Sequence, residues 1–146
     1  MTEKAATHTP PTMLMGIPAD VVPAFWQIVT PLLGRALEHA DGRYEVEDIL
    51  AALLACDMQL WIAVDARSMA IEAVCVTEII AYPQEKRCGL VFCAGRKANR
   101  WLRHLQDIEE WAREQGCAAL ELQGRPGWER LLRGWQKTHV LLRKRL

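Results

Sequence analysis

The chain predicts a mixed α/β fold, with an antiparallel first half and a strand–helix–strand unit after it. Three observations predict it. Leu60–Val64, Ile71–Ala81, Cys88–Cys93 and Cys117–Leu122 are β-branched and apolar runs bounded by turn residues. Other segments repeat apolar residues every three or four positions, as helices do when one face is buried. In the second half the two patterns alternate as strand, basic turn, helix, strand. The order read from the chain is strand, two helices, three strands, helix, strand, helix, strand.

The elements follow in turn. Thr12–Ile17 is a short strand closed by Pro18. Asp20 is a suitable N-cap, and Val22, Phe25, Val29, Leu32, Leu33 and Ala36 mark an amphipathic helix. Pro31 lies within it and is expected to kink or split it. After Asp41-Gly42, Glu47–Cys56 is a second helix with Ile49, Leu50, Leu53 and Leu54 inward. Leu60–Val64 and Ile71–Ala81 form an antiparallel hairpin around the turn Asp65–Ser68, and Cys88–Cys93 is the next strand. Trp101, Leu105, Ile108 and Ala112 share a helix face that Gly116 stops. After the strand Cys117–Leu122, Pro126 suits a first helical turn. Trp128, Leu131, Leu132 and Trp135 follow at core-facing spacing. Thr138–Leu146 is a last strand of alternating character.

Length and composition limit the classes. A chain of 146 residues, 51% apolar and 25% charged, suits one globular domain. That domain is expected over 12–146, behind a flexible tail at 1–11. No apolar run reaches a membrane span, and the tail lacks a secretory apolar core. Cys56, Cys75, Cys88, Cys93 and Cys117 form no Cys-x-x-Cys pair. They read as reduced thiols of a cytoplasmic protein. Cys88 and Cys93 are five apart on a strand and are expected on opposite faces. Neither they nor the four histidines have metal-ligand spacing, so no metal site is expected.

The net charge is zero but unevenly spread. From Ala36 to Tyr82 acids dominate, with Arg43 and Arg67 as the bases. From Arg125 onward bases dominate, with Glu129 as the acid. Most of these charges read as two solvated faces that attract weakly. A neutral total and the lack of a recognition motif argue against nucleic-acid binding. The local concentration that matters lies at Lys86, Arg87, Arg96, Lys97, Arg100 and Arg103, a stretch without an acid. Its turn, Cys93-Ala94-Gly95-Arg96-Lys97-Ala98-Asn99-Arg100, carries a strand into a helix. Helix starts present free N–H groups and partial positive charge, which suits a phosphorylated ligand.

On these residues the chain resembles the GCN5-related N-acetyltransferase superfamily, the acyl-CoA N-acyltransferase fold, over roughly Met13 to Leu146. The turn Gly95-Arg96-Lys97-Ala98-Asn99 lies where that family's pyrophosphate loop lies. Glu109–Cys117 is similar to its helix end and fifth strand, and Gly124–Trp135 to its last helix. This C-terminal pattern is also similar to acetyltransferase-like proteins of phages and prophages. The turn departs from the family's Arg/Gln-x-x-Gly-x-Gly/Ala pattern: Asn99 and Trp101 stand at the inner glycines. The tyrosine the family often carries in its last helix is also absent.

The resemblance implies a mostly antiparallel sheet splayed at a parallel strand pair, with about four helices. It implies acetyl transfer from acetyl-CoA to an amine, without a metal. Ala94, Gly95, Arg96, Lys97, Ala98, Asn99 and Arg100 would bind the cosubstrate. Glu78, or less favourably Glu72, would be the base, and Tyr82 the acid for the thiolate. A rim carboxylate and a rim aromatic are the plainer readings of Glu78 and Tyr82. The alternative function is an inactive protein of the same fold, structural or partner-binding, cytoplasmic or in a phage virion.

Overall fold

The structure is a computed structural model and describes residues 12–146. The tail expected at 1–11 lies outside the described residues. The elements are β1 (Thr12–Ile17), α1 (Val22–Leu37), α2 (Val46–Leu54), β2 (Gln59–Asp65), β3 (Ile71–Ala81) and β4 (Lys86–Gly95). They continue with α3 (Ala98–Trp101), a 3₁₀ turn (Leu102–His104), α4 (Leu105–Glu114), β5 (Cys117–Leu122) and α5 (Gly127–Leu131). The sheet order is β1-β2-β3-β4-β5, antiparallel until the parallel β4–β5 pair.

Alternation in β2, β3 and β4 sorts their residues to two buried faces. Leu60, Ile62, Val64, Val74, Val76 and Phe92 meet Val29, Leu33, Ile49 and Leu53 of α1 and α2. Ala63, Ala73, Cys75 and Leu90 meet Trp101 and Ile108 on the opposite face. Trp61 stacks edge-on against Trp111 of α4 at 5.1 Å and donates its indole N–H to Thr77.

Two strand irregularities re-aim side chains. In β4, Val76 pairs with Phe92 and Thr77 with Leu90, so Val91 is an extra residue. This reverses the expectation that Cys88 and Cys93 face opposite ways. Alternation puts Cys88 with Leu90, and Cys93 packs in that same cluster because Val91 adds one step. In β3 the extra residue is Glu72, between the pairs Ala63–Ala73 and Val64–Ile71.

Several local expectations change. Pro31 lies inside a single helix α1, which continues to Leu37. The Thr30 hydroxyl donates to the Trp26 carbonyl one turn back. Asp20 does not cap α1; the Pro18 carbonyl accepts from the Val21 and Val22 amides instead. At α2 the Asp48 carboxylate accepts from the Glu45 amide at 2.8 Å, half of a capping box. Leu54 is exposed. The long helix expected around Trp101–Ala112 is broken, because Trp101 leaves helical geometry at φ −123° and a 3₁₀ turn follows. Leu105 is half-buried, whereas Trp101, Ile108 and Ala112 are buried as their spacing implies.

The C-terminus differs most. Thr138–Leu146 forms no strand, so β5 is an edge strand of the sheet, as β1 is at the other side. Val140, Leu141 and Leu142 are consecutive and exposed, so the segment lacks the strict alternation that would bury one face. Of the four residues expected inward around α5, Leu132 is buried, Trp128 and Trp135 are half-buried, and Leu131 is exposed. The helix has five residues, so its turn is too short to present a full apolar stripe.

One knot ties the sheet to the segment after β4. The buried Thr12 hydroxyl donates to the Arg100 carbonyl at 2.7 Å, and His104 Nε2 lies 2.7 Å from the Thr12 hydroxyl oxygen. The hydroxyl has one proton and has given it away, so Nε2 is the protonated ring nitrogen. Arg103 donates to the Thr12 carbonyl at 3.2 Å.

Two predictions arise here. Leu132→Ala should lower the unfolding free energy by about 2 kcal/mol or more. Leu131→Ala should change it by less than about 0.5 kcal/mol, both read by chemical denaturation. The second concerns pH. Burial, then Arg103, lowers the pKa of His104, against the pull of Asp107. Its folded form resists the proton that the unfolded chain takes near pH ~6.5. That contribution is therefore full above about pH 6.5 and is lost as pH falls toward the lower folded pKa. Denaturation midpoints at pH 7.5 and 5.5 should differ more in the native chain than in His104→Gln.

Candidate functional site

The site begins where β4 loses one neighbour. Antiparallel pairing with β3 runs along β4 from Lys86 to Gly95, but parallel pairing with β5 ends at Leu90 opposite Leu122. Phe92–Gly95 therefore have a ladder on one side only, and Val91, the extra residue, pairs with neither strand. Strand backbone stripped of a ladder keeps N–H and C=O groups that need partners. The extra residue Val91 sits at the start of this open stretch.

The α1–α2 connection spans the opening. The Tyr44 ring meets Phe92 of β4 edge-on at 5.6 Å. Arg43 Nη1 donates at 3.1 Å to Gln123, the residue just beyond β5. Arg143 contacts the Asp41 carboxylate, joining the basic C-terminal segment to the acidic half of the chain. Nothing in the spacing of Tyr44 or Arg43 marked them; their positions come from the sheet order.

The basic turn closes β4 at this same end. Gly95 pairs with Ala73, and the Arg96 amide donates to the Glu72 carbonyl at 3.0 Å, so this amide is already used. Lys97 is left-handed, at φ 49°, and starts α3 without a side-chain cap. The first amides of the helix, at Ala98 and Asn99, thus meet no capping side chain, an arrangement that fits an anion. Ala94 and Ala98 are half-buried; Arg96, Lys97 and Asn99 are exposed. A Cβ on Gly95 would lie 2.6 Å from the Ala73 Cβ and 2.7 Å from Trp101 Nε1. Gly95 is therefore required for packing against Trp101. The Trp101 side chain folds inward to the sheet rather than out over the turn, with its indole N–H buried and unpartnered among the described residues.

Arg100 behaves unlike its basic neighbours. It makes ion pairs with Asp65 at 2.9 Å and Glu72 at 2.8 Å, its side chain about three-quarters covered. The contact to Asp65 is an aligned hydrogen bond, and that to Glu72 is a close charge pair without such alignment. The irregularity in β3 aims Glu72 at Arg100. Asp65 accepts the Ser68 and Arg67 amides in its own turn, and these bonds, with Arg100, lower its pKa to about 2. Glu72, the second candidate base, is thus held in this pair. The signal was present in the sequence as acids at two strand ends. Only the sheet register shows that both ends meet α3.

The remaining candidates lie farther along the sheet. Glu78 is half-buried on β3 opposite Gly89, five residues from the rung of Gly95. That is about 17 Å of extended strand. Tyr82 is in the β3–β4 hairpin, exposed, with the Arg87 guanidinium 5.3 Å over its ring. It is about 30 Å from the turn by the same measure. One extended ligand can touch the turn and reach toward Glu78; Tyr82 lies beyond it. Among the described residues, no three His, Cys, Asp or Glu side chains converge to hold a metal. No helix there is long and apolar enough to cross a membrane.

The chain matches no known family pattern by sequence, and it matches no curated protein by sequence. Its fold has clear relatives among solved structures. An aminoglycoside acetyltransferase from an uncultured soil metagenomic sample, in complex with sisomicin, is similar with a TM-score of 0.68 and 10% identity over 93% of this chain and 97% of that one. A GNAT family acetyltransferase of Staphylococcus aureus is similar with a TM-score of 0.64 and 14% identity over 93% and 99%. A predicted acetyltransferase from Clostridium acetobutylicum, solved with acetyl-CoA, is similar with a TM-score of 0.62 and 15% identity over 92% and 96%. At such identities the likeness establishes the fold: this chain has the architecture of the acyl-CoA N-acyltransferases, a mixed sheet opened at one parallel strand pair.

Proposed function

We propose that the chain is an acyl-CoA-dependent N-acyltransferase that belongs to the GCN5-related superfamily and acts on an amine. The observation that carries the reading is the opening between β4 and β5 beyond Leu90, walled by Val91–Gly95, which β5 leaves unpaired, and ended by the uncapped start of α3. A phosphorylated, extended cosubstrate suits that shape. In this reading the Ala98 and Asn99 amides and the exposed Arg96 and Lys97 take the pyrophosphate. Ala94 and Gly95 form the wall that leads to it. Arg100 positions the turn through Asp65 and Glu72 and leaves phosphate contact to its neighbours.

Acetyl-CoA, when bound, supplies the activated thioester. The residues here hold it, exclude water and manage protons. Glu78 would take the ammonium proton of the acceptor, directly or through water. The resemblance implies Tyr82 as the acid, but at about 30 Å of extended strand from the turn it lies beyond the thioester, and this reading assigns no acid. The acidic half around Asp41 supports a cationic acceptor, and sisomicin bound to one structural relative is such an amine. Reduced thiols support a cytoplasmic setting, and the Gly124–Trp135 pattern supports a phage or prophage origin.

A second reading rests on a specific observation. Asn99 and Trp101 replace the glycines that would admit pyrophosphate closely, and Trp101 is built into the core. A protein of this fold that binds a partner without catalysis fits that feature.

Calorimetric titration with acetyl-CoA and CoA separates the two. Arg96→Ala combined with Lys97→Ala should weaken binding by about 1–3 kcal/mol, the scale of charge-assisted hydrogen bonds. The loss should shrink as salt rises, since exposed charges are screened. Glu78→Gln should lower kcat by about 10²–10⁴-fold with cosubstrate affinity unchanged. Absence of binding at millimolar CoA by folded protein would sink the enzyme reading and leave the partner-binding one.

A further inference from the structure

We propose that Cys75 and Cys93 form a redox pair that closes to a cross-strand disulfide when the protein meets a peroxide. The two residues are direct partners across β3 and β4. Their sulfurs are 3.1 Å apart, and both thiols are free.

The backbone need not move. Directly opposed residues of antiparallel strands have Cα atoms about 4.5 or 5.5 Å apart, depending on the rung. Both spacings lie within the range of about 4.4–6.8 Å that disulfides span. Closing the sulfurs to a bond takes about 1 Å, within the reach of small side-chain rotations. The extra residue Val91 is what brings this about, because without it Cys93 would face α1 and α2 while Cys75 faces α4.

The two thiols are unequal. Cys93 is half-exposed and lies in the stretch of β4 that β5 does not cover. Cys75 is buried, and the Cys93 contact and burial push its pKa up, so it resists ionisation until its partner has reacted. Cys75 also borders a cavity of about 20 Å³ lined by Trp61, Ala73 and Trp101. That volume admits a water-sized molecule.

The chemistry balances with one peroxide. The Cys93 thiolate attacks a peroxide oxygen, the O–O bond breaks, and a sulfenic acid and one water form. The Cys75 sulfur then attacks the sulfenic sulfur, the S–S bond forms, the S–O bond breaks, and a second water leaves with the thiol protons. The sulfurs lose two electrons and the peroxide gains them. The step is independent of the acyltransferase reading, and it ties the wall of the β4–β5 opening covalently to β3.

The test is peroxide titration of the full chain carrying Cys56→Ser, which removes the exposed thiol that would otherwise join two molecules. One equivalent of hydrogen peroxide should consume two thiols, reversibly by dithiothreitol. Cleavage after Arg87 and Arg96 leaves Cys88 and Cys93 on one peptide, so tandem mass spectrometry must assign the link to Cys93. A Cys75–Cys93 link there, absent in Cys93→Ser, supports the proposal. A link through Cys88, or sulfinic or sulfonic acid on Cys93 without a link, overturns it. So does survival of both thiols at millimolar peroxide. The readout on the Cys56→Ser chain needs no core substitution, so misfolding of a variant cannot mask the result.

Discussion

Beyond Leu90, β4 keeps its ladder to β3 and loses its ladder to β5, and the rest of the molecule is arranged around that single divergence. A parallel pair needs a crossover, here α3, the 3₁₀ turn and α4, which places a helix start beside the strand end where the ladder has opened. The α1–α2 connection then bridges the gap from Phe92 to Gln123. Backbone paired on one side only, a helix start and a covering loop thereby come together at one end of the sheet, the usual place for a ligand in such architectures.

That end is held by polar contacts of an unusual kind for a turn of this composition. Arg100 is partnered by Asp65 and Glu72, while Thr12 bridges the Arg100 carbonyl and His104. Four separate chain segments converge in this way. A partly covered ion pair contributes modest net stability, because desolvation offsets much of its attraction. Its greater consequence is orientation, since it holds the segment after Lys97 against the sheet. Trp101 completes the arrangement by packing beneath Gly95. The turn is thus braced from within by Arg100 and Trp101, and Arg96, Lys97 and Asn99 are the side chains left outward.

The resemblance to acyltransferases was carried by element order, and element order was legible because hydrophobic period survives in a sequence even when motifs do not. The glycine signature of the turn is degraded, yet strand, turn, helix and strand kept their periods. The roles of single residues were harder to read. Arg100 looked like one of several phosphate cations, and Glu72 looked like a spare base. The β3 irregularity makes them partners, and an extra residue in a strand leaves no mark in a period-two pattern. For the same reason Cys88 and Cys93 appeared to diverge, although Val91 brings them to one face.

The amino-acid sequence by itself determined the five strands that form the sheet, the two helices that follow the first of them and the basic turn after β4. These depend on local periodicity and turn chemistry, which neighbouring residues suffice to specify. It misjudged the C-terminal segment, whose apolar residues look strand-like but find no ladder, since a strand exists only with a partner. Tertiary structure alone decided which ends of the sheet meet, that Leu132 is buried and Leu131 is not, and that Cys75 touches Cys93. Each is a question of register and packing between segments far apart in the chain, where free energy depends on pairs of surfaces that no single segment encodes.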